Sequence, residues 1–233
     1  GVQTCALPIS MLRDKEMPEE TREQFLNVIE EDTVRLGGLI EELLEVARIE
    51  AGTMKLDIDN VDVKEVVEEV RTCIAPLAGE KQIELVTEIA ETVPVINADR
   101  SRIVSVFTNL VNNAVKFTPE AGRVEVLVTA TFDGVQIEVK DTGIGIPESA
   151  IDKIFDRFYR VDRPGTEIQG TGIGLAIVHK IVELHNGMIK VESEPGNGSK
   201  FTVTLPLDGT EQKAEAEKQS TNNPTDRTQT NQE

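Results

Sequence analysis

Tryptophan is absent from the sequence, and tyrosine occurs once beside seven phenylalanines. A core built from this chain is therefore mainly aliphatic, which a hydrophobic fraction of 39% allows. Cysteine is nearly absent too. Cys5 and Cys73 are too few for a disulfide framework or a cysteine-ligated zinc site, and they fit a reducing compartment. Basic residues are in deficit, with 24 Lys plus Arg against 42 Asp plus Glu and a formal charge of −18. That excludes nucleic acid as a partner, because a phosphate backbone is bound by a basic stripe. No stretch reaches the ~18 apolar residues of a membrane span. The opening GVQTCALPIS lacks the basic flank and apolar length of a signal peptide.

What is present falls into segments. Residues 1–10 resemble the conceptual translation of a sequencing-adapter oligonucleotide, which would mean that the natural N-terminal part is missing; the alternative is an ordinary disordered start. From Glu19 to Ala51 apolar residues (Phe25, Ile29, Leu36, Leu39, Ile40, Leu43, Leu44, Ala47) recur mostly at steps of three and four, which predicts one long helix. With a single apolar stripe and no partner in its own segment, it belongs in a coiled coil or helical bundle. Gly37-Gly38 argues against continuity. After Gly52 helices and strands alternate. Helices are expected over 63–79, 99–117, 147–158 and 174–185. Strands are expected over 83–89, 123–131, 135–140, 188–193 and 199–205, with a hairpin turned at Asp133-Gly134. The tail 208–233 has almost no apolar residue and reads as disordered. There is no internal repeat.

Three stretches carry chemistry. On the helix from Asp99 to Phe117, Asn109, Asn113 and Lys116 stand at i, i+4 and i+7, forming a polar stripe beside the packing face. An amide oxygen suits Mg²⁺ and an ammonium suits phosphate; a plain solvated face is the alternative. The strand Val135 to Asp141 alternates, so Asp141 keeps the parity of Val135, Ile137 and Val139 and points inward. A buried carboxylate needs a donor; a purine amine would serve, and an ordinary strand end is the alternative. Gly170-Thr-Gly-Ile-Gly174 precedes a helix, whose free amides suit an anion. The Lys-Ser/Thr of a P-loop is absent, and so is the third glycine of a Rossmann fingerprint.

Taken in order, NLVNNAVKFTP (109–119), DTGIGIP (141–147), IFDRFYR (154–160) and GTGIGL (170–175) resemble the N box, first glycine box, F box and second glycine box of bacterial sensor histidine kinases. GNGSKF (196–201) resembles the closing glycine box. The resemblance implies a Bergerat-type α/β two-layer sandwich over 53–207, with a mixed sheet and helices on one face. Residues 11–52 would be part of the dimerisation and phosphotransfer hairpin. By position, Asn113 would ligate Mg²⁺ with Asn109 assisting, and Lys116 would hold the phosphates of ATP. Asp141 would read the adenine amine, with Gly143, Gly145 and Ile146 shaping the base pocket. Gly170, Thr171, Gly172, Gly174 and Leu175 would anchor a lid formed by 161–169. Phe155, Phe158 and Tyr159 would seat that lid, and Arg157 or Arg160 would reach phosphate.

The function implied is an ATP-dependent protein-histidine kinase, cytoplasmic as this fragment and anchored in the bacterial membrane as the intact parent. Its partners would be a second copy, through the hairpin, and the receiver domain of a response regulator. The family's phosphoacceptor lies upstream of residues like 17–51, so His179 and His185 read as packing or surface residues. The rivals are a related ATPase, such as a type II topoisomerase or mismatch-repair subunit, and a non-catalytic ATP-binding or dimerisation module. The ATPases carry Glu where Asn109 stands, as a base for water.

Overall fold

The computed structural model describes residues 18–161 and 170–208, so the adapter-like start, most of the expected lid and the tail beyond Asp208 lie outside the described residues. The chain divides after Met54 into two compact units.

The first unit is one helix, α1 (Glu19–Glu50), which Gly37 and Gly38 do not interrupt. At ~1.5 Å per residue it is about 48 Å long. Pro18 precedes its first turn, where a missing N–H costs nothing. Leu36, Ile40, Leu43 and Leu44 remain exposed along it. Among the described residues no helix is long and apolar enough to cross a membrane.

The second unit follows in the order β1 (Asp59–Val61), α2 (Val63–Glu80), β2 (Glu84–Ile89), β3 (Ile96–Ala98), α3 (Arg100–Phe117), β4 (Arg123–Ala130), β5 (Gly134–Asp141), α4 (Glu148–Ile151), α5 (Gly174–Leu184), β6 (Met188–Ser193) and β7 (Ser199–Pro206). Five strands form a mixed sheet, β2-β4-β5-β7-β6, with β2 parallel to β4 and every other pair antiparallel. Alternate residues on the central strands are buried under α2, α3 and α5, for example Val126, Ile137 and Val203. The opposite face carries ion pairs instead: Arg123 with Glu84 and Glu125, and Lys200 with Glu192. Such exposed pairs contribute little stability, but they keep that face largely polar, and among the described residues no helix of this unit covers it, so the sandwich has two layers. The core is aliphatic apart from Phe107 and Phe201.

Four features depart from the sequence-based expectation. The small antiparallel sheet of β1 and β3 has three residues per strand, too few for a period to register. Asp208, assigned to the tail, instead bridges to Asn97 beside that sheet. The helix expected over 147–158 is a single turn, α4, followed by tight turns that end in Phe158 at φ 62°. There the Phe158 amide donates to the carbonyl of Gly172 at 2.9 Å, so a tertiary bond overrides local helix preference. Finally, the two ends of α3 are tied down by side chains that carry no sequence motif.

At its N-terminus Asp99 is the cap. Its carboxylate accepts from the amides of Arg102 (3.2 Å) and Asp57 (3.0 Å) and from the Ser101 hydroxyl (2.7 Å). Its own amide donates to Nε2 of His185 at 3.0 Å, while Nδ1 of that ring donates to the Ile181 carbonyl at 2.8 Å. His185 is thus a buried neutral ring with both nitrogens bonded, and His179 is exposed. At the other end the Lys81 ammonium donates to three carbonyls, those of Val115 (2.8 Å), Lys116 (3.1 Å) and Thr118 (2.6 Å). The last carbonyls of a helix have no partner within it, and a cation there also meets the negative end of the dipole.

Replacing Lys81 with Met keeps the length of the side chain and deletes those bonds. Because hydrogen bonds from a charged donor contribute about 1.5–3 kcal/mol, Lys81→Met should lower the unfolding free energy measured by urea titration by an amount in that range; an unchanged value would show that water replaces the ammonium at no cost.

Burial pushes the His185 ring below its ordinary pKa of 6.5, against the Ile181 carbonyl and the Asp99 charge, which favour the protonated form. The unfolded chain therefore takes up a proton, below pH 6.5, that the folded protein refuses, and stability falls as pH drops through that window. Burial raises the Asp99 carboxyl, but its three donors outweigh burial and leave it below the usual 3.8, so its loss begins lower. Asp141 is raised by burial, and its contribution has the opposite sign. The thermal midpoint should fall on acidification from pH 7.5 to 5.5 in the native chain and stay flatter in His185→Gln; equal slopes would assign the proton elsewhere.

Candidate nucleotide site

The polar stripe of α3 faces the loop that opens α5. Asn109, Asn113 and Lys116 are all half-buried. The Asn109 amide nitrogen donates back to the Ser105 carbonyl at 2.9 Å, which turns Oδ1 toward Gly174. A Cβ at Gly174 would collide with that oxygen, and one at Gly170 would stand 2.6 Å from Nζ of Lys116. A side chain at either position would push the stripe residue facing it aside. Nζ of Lys116 also lies 5.3 Å from the ring centroid of Phe117. Among the described residues the Asn113 amide has no hydrogen-bond partner. An unpaired amide oxygen beside an ammonium is a donor set that fits a hard cation carried by phosphates. No group of three His, Cys, Asp or Glu that could hold a metal without such a ligand occurs among the described residues. The N-terminus of α5 has no side-chain cap, leaving its amides to an anion.

Asp141 ends the central strand and is 5% exposed. Its Oδ1 accepts from the amides of Gly143 (2.7 Å) and Ser199 (3.3 Å), and its Oδ2 has no partner among the described residues. Burial raises this carboxyl, and the two amides oppose the shift. Gly143 lies so close to the Phe117 carbonyl that a Cβ would meet it at 2.6 Å. Gly145, at φ 66°, leaves no room for a Cβ beside the Glu194 carbonyl. The amide of Ile144 donates to Phe117, and that of half-buried Ile146 donates to the Ser193 hydroxyl at 2.8 Å. The first glycine loop is thus stitched to the end of α3 on one side and to the β6–β7 turn on the other.

The F-box segment clasps the second glycine loop. Gly172, at φ 73°, would put a Cβ 2.7 Å from the Tyr159 carbonyl, and Phe158 bonds to the same glycine. Thr171 Oγ1 accepts from the Ile173 amide at 3.2 Å, and Leu175 is half-buried in the first turn of α5. Phe155 packs its ring 5.3 Å from that of His179. Tyr159 is half-buried and Arg160 is exposed at the edge of the lid segment, of which 162–169 lie outside the described residues. The candidate residues therefore gather in two groups, one around the Asp141 carboxylate and the first glycine loop, and one suited to an anion where Asn109, Lys116 and the glycines of 170–174 meet.

Sequence reasoning missed Ser193 and Ser199, whose hydroxyls lie 2.9 Å apart and brace the loop below Asp141. It also missed Lys81, Asp99 and the bonding role of His185. An Asp at the first position of a predicted helix was the one available signal, since Asp is a preferred cap.

Residues 98–209 match the family described as histidine kinase-, DNA gyrase B- and HSP90-like ATPases. The sensor histidine kinase RcsC of Escherichia coli is 36% identical over 206 residues, covering 86% of this chain and 21% of that protein. The chain thus spans about a fifth of that relative's length. Full-length ShkA in complex with AMPPNP superposes with a TM-score of 0.71 at 31% identity, over 87% of this chain and 42% of that one. ThkA in complex with the response regulator protein TrrA gives 0.66 at 25% identity, over 91% and 61%. A five-stranded mixed sheet under three helices, four motifs in order and these likenesses place the chain in the histidine kinase-, gyrase B- and HSP90-like ATPase family, as the ATP-binding catalytic domain of a bacterial sensor histidine kinase.

Proposed function

We propose that this chain is the nucleotide-binding engine of a protein-histidine kinase, holding ATP so that its γ-phosphate passes to an imidazole and then to an aspartate of a receiver domain. The observation that carries this reading is the meeting of the second glycine loop with the Asn109–Lys116 stripe, so close that a Cβ on Gly170 would stand 2.6 Å from the ammonium, while Asp141 keeps Oδ2 free of partners among the described residues. In this reading Oδ2 of Asp141 accepts the adenine amine, with Gly143, Gly145 and Ile146 lining the base. Lys116, Thr171, Leu175 and the amides at Gly170, Gly172 and Gly174 face the phosphates, and Tyr159 and Arg160 flank the lid. Asn113, with Asn109, would hold Mg²⁺, which supplies neutralisation of phosphate charge.

In the transfer, the bond between the γ-phosphorus and the β–γ bridging oxygen breaks while a bond from imidazole nitrogen to phosphorus forms. ADP leaves, and the imidazole proton passes to solvent. The protein's part is mainly positioning and electrostatics. Hydrolysis is disfavoured because Asn109 is neutral, its nitrogen is committed to Ser105, and it offers no base for water. Neither histidine of this sequence suits the acceptor role: His185 has both nitrogens bonded in the core, and His179 packs against Phe155 on the helix that follows the loop. The acceptor is supplied by a helical hairpin of which α1 is one member, in a homodimer whose apolar seam is the exposed stripe Leu36–Ile40–Leu43–Leu44. A receiver domain as partner is supported by the ThkA–TrrA likeness, and a membrane-anchored parent by the kinship with sensor kinases. In this reading residues 11–52 and 53–208 are the corresponding domains.

Asp141→Asn replaces one acceptor oxygen by a donor, and losing a charged hydrogen bond costs about 1.5–3 kcal/mol. Calorimetry should show Mg-ATP binding weakened about tenfold or more, at ~1.4 kcal/mol per decade; an unchanged dissociation constant would remove Asp141 from the adenine pocket. With labelled ATP, this chain should not label itself, yet should place acid-labile label on a separately supplied hairpin containing a histidine. Asn113→Ala should abolish that transfer. Acid-labile label on His179 or His185 of the chain alone would overturn the assignment of the acceptor to another segment.

A further inference from the structure

Two helices carry the two halves of the site, and they touch at both ends. At one end Gly174, the first residue of α5, lies against Oδ1 of Asn109, in the second half of α3. At the other, His185 just past α5 bonds the amide of Asp99 just before α3. From Asp99 to Asn109 is ten residues and from Gly174 to His185 eleven, about 15 and 16 Å at ~1.5 Å per residue. The helices are therefore antiparallel, matched in length between the two contacts and packed against each other along it. Sliding either one along its axis would separate Gly174 from Asn109 and Gly170 from Lys116.

The apolar packing between the helices, through Ile177, Val178 and Ile181, is non-directional. The directional contact is the His185 ring. Its Nδ1 proton is fixed on the Ile181 carbonyl of its own helix, so its Nε2 lone pair has one orientation, and the Asp99 amide takes it at 3.0 Å. The ring is 1% exposed, so water offers no substitute partner. Asp99 in turn fixes the start of α3 through Arg102 and Ser101, and ties in Asp57 of the segment leading from α1.

We infer that His185 is a positioning residue for the nucleotide: its bridge between Ile181 and Asp99 sets the axial register of α5 against α3, and so sets the second glycine loop over Asn109 and Lys116. It touches no reacting atom and acts through the two helices. The inference rests on the reading of this site as the ATP site.

The test is Mg-ATP affinity by calorimetry, at a temperature where circular dichroism shows each variant folded. His185→Leu fills the space without an acceptor; His185→Gln places a carbonyl oxygen where Nε2 stood. Val203→Ala, in β7 under the same core, controls for lost stability. His185→Leu should weaken binding about tenfold or more, with His185→Gln and Val203→Ala within about threefold of the native chain. Equal affinity of the Leu variant and the native chain, or equal losses in the Leu and Val203 variants, would overturn the inference. If His185→Leu does not fold, His185→Asn, whose oxygen is one methylene short of Asp99, takes its place. It should bind about tenfold more weakly than His185→Gln, and equal affinities would overturn the inference. Asp141→Asn run alongside separates the two readings. Binding lost there but kept in the His185 variants removes only this inference, whereas binding kept in Asp141→Asn removes the adenine pocket itself.

Discussion

The structure depends on one helix being held still at both ends. Four amides at the start of an α-helix and four carbonyls at its end have no partner within it. In α3 the orphan groups on both sides meet side chains from elsewhere in the fold: Asp99 with His185 at the start, and the Lys81 ammonium at the end. Each anchor comes from the end of a different helix. His185 comes from the turn after α5, and Lys81 from the turn between α2 and β2. A helix capped by its neighbours cannot rotate or fray independently of them. The stripe of Asn109, Asn113 and Lys116 therefore inherits the rigidity of the whole helical layer, although none of the three is itself fully buried.

The opposite requirement operates at the loops, where backbone must come unusually close to backbone. Asp141 is crowded by Gly143 from its own strand end and by Gly198 from the turn before β7, where a Cβ would run into the Asp141 carbonyl. Gly198 and Gly145 both have positive φ, at 84° and 66°, a region where a side chain costs about 1–2 kcal/mol before any clash is counted. These glycines let amides of Gly143 and Ser199 reach Oδ1 while Oδ2 stays open, so the carboxylate is half satisfied by the protein and half available. A fully bonded carboxylate would not read a ligand, and a fully unbonded one would be costly to bury. The split between its two oxygens lies between those extremes.

Much of this was legible in the chain because it is local. The inward parity of Asp141 follows from alternation with Val135, Ile137 and Val139, and the polar stripe of α3 from helical spacing. The 32-residue helix was readable as well, although Gly37-Gly38 argued against it. Two glycines cost ~1 kcal/mol each relative to alanine, and thirty good neighbours outweigh that. What stayed hidden is non-local. Nothing in Lys81 or His185 distinguishes it from a surface Lys or a core His until α3 is brought beside it, 34 and 86 residues away in sequence. The shortened helix after Pro147 failed for the same reason. Ile154 to Phe158 has helical spacing, but the Gly172 carbonyl claims the Phe158 amide and bends the chain.

The charge of the chain sets a last constraint on how such a site works. With a formal charge of −18, the protein as a whole repels a polyanion. Screening limits that repulsion to about 8 Å at physiological salt, so what governs binding is the balance of charge near the phosphates rather than the total. Within the site as read here that balance is positive. Lys116 is brought to the loop of glycines by Gly170, the start of α5 has amides without a side-chain cap, and the stripe residues beside them are neutral amides rather than carboxylates. The acidic residues are elsewhere, many of them on α1, α2 and the open face of the sheet. Asparagine rather than aspartate on α3 has the same logic. A carboxylate at 109 or 113 would hold a divalent ion more tightly, but would set a negative charge beside the phosphates in a chain with little positive charge to spare. In the reading proposed above, a neutral oxygen would leave a bound cation's charge free for the nucleotide.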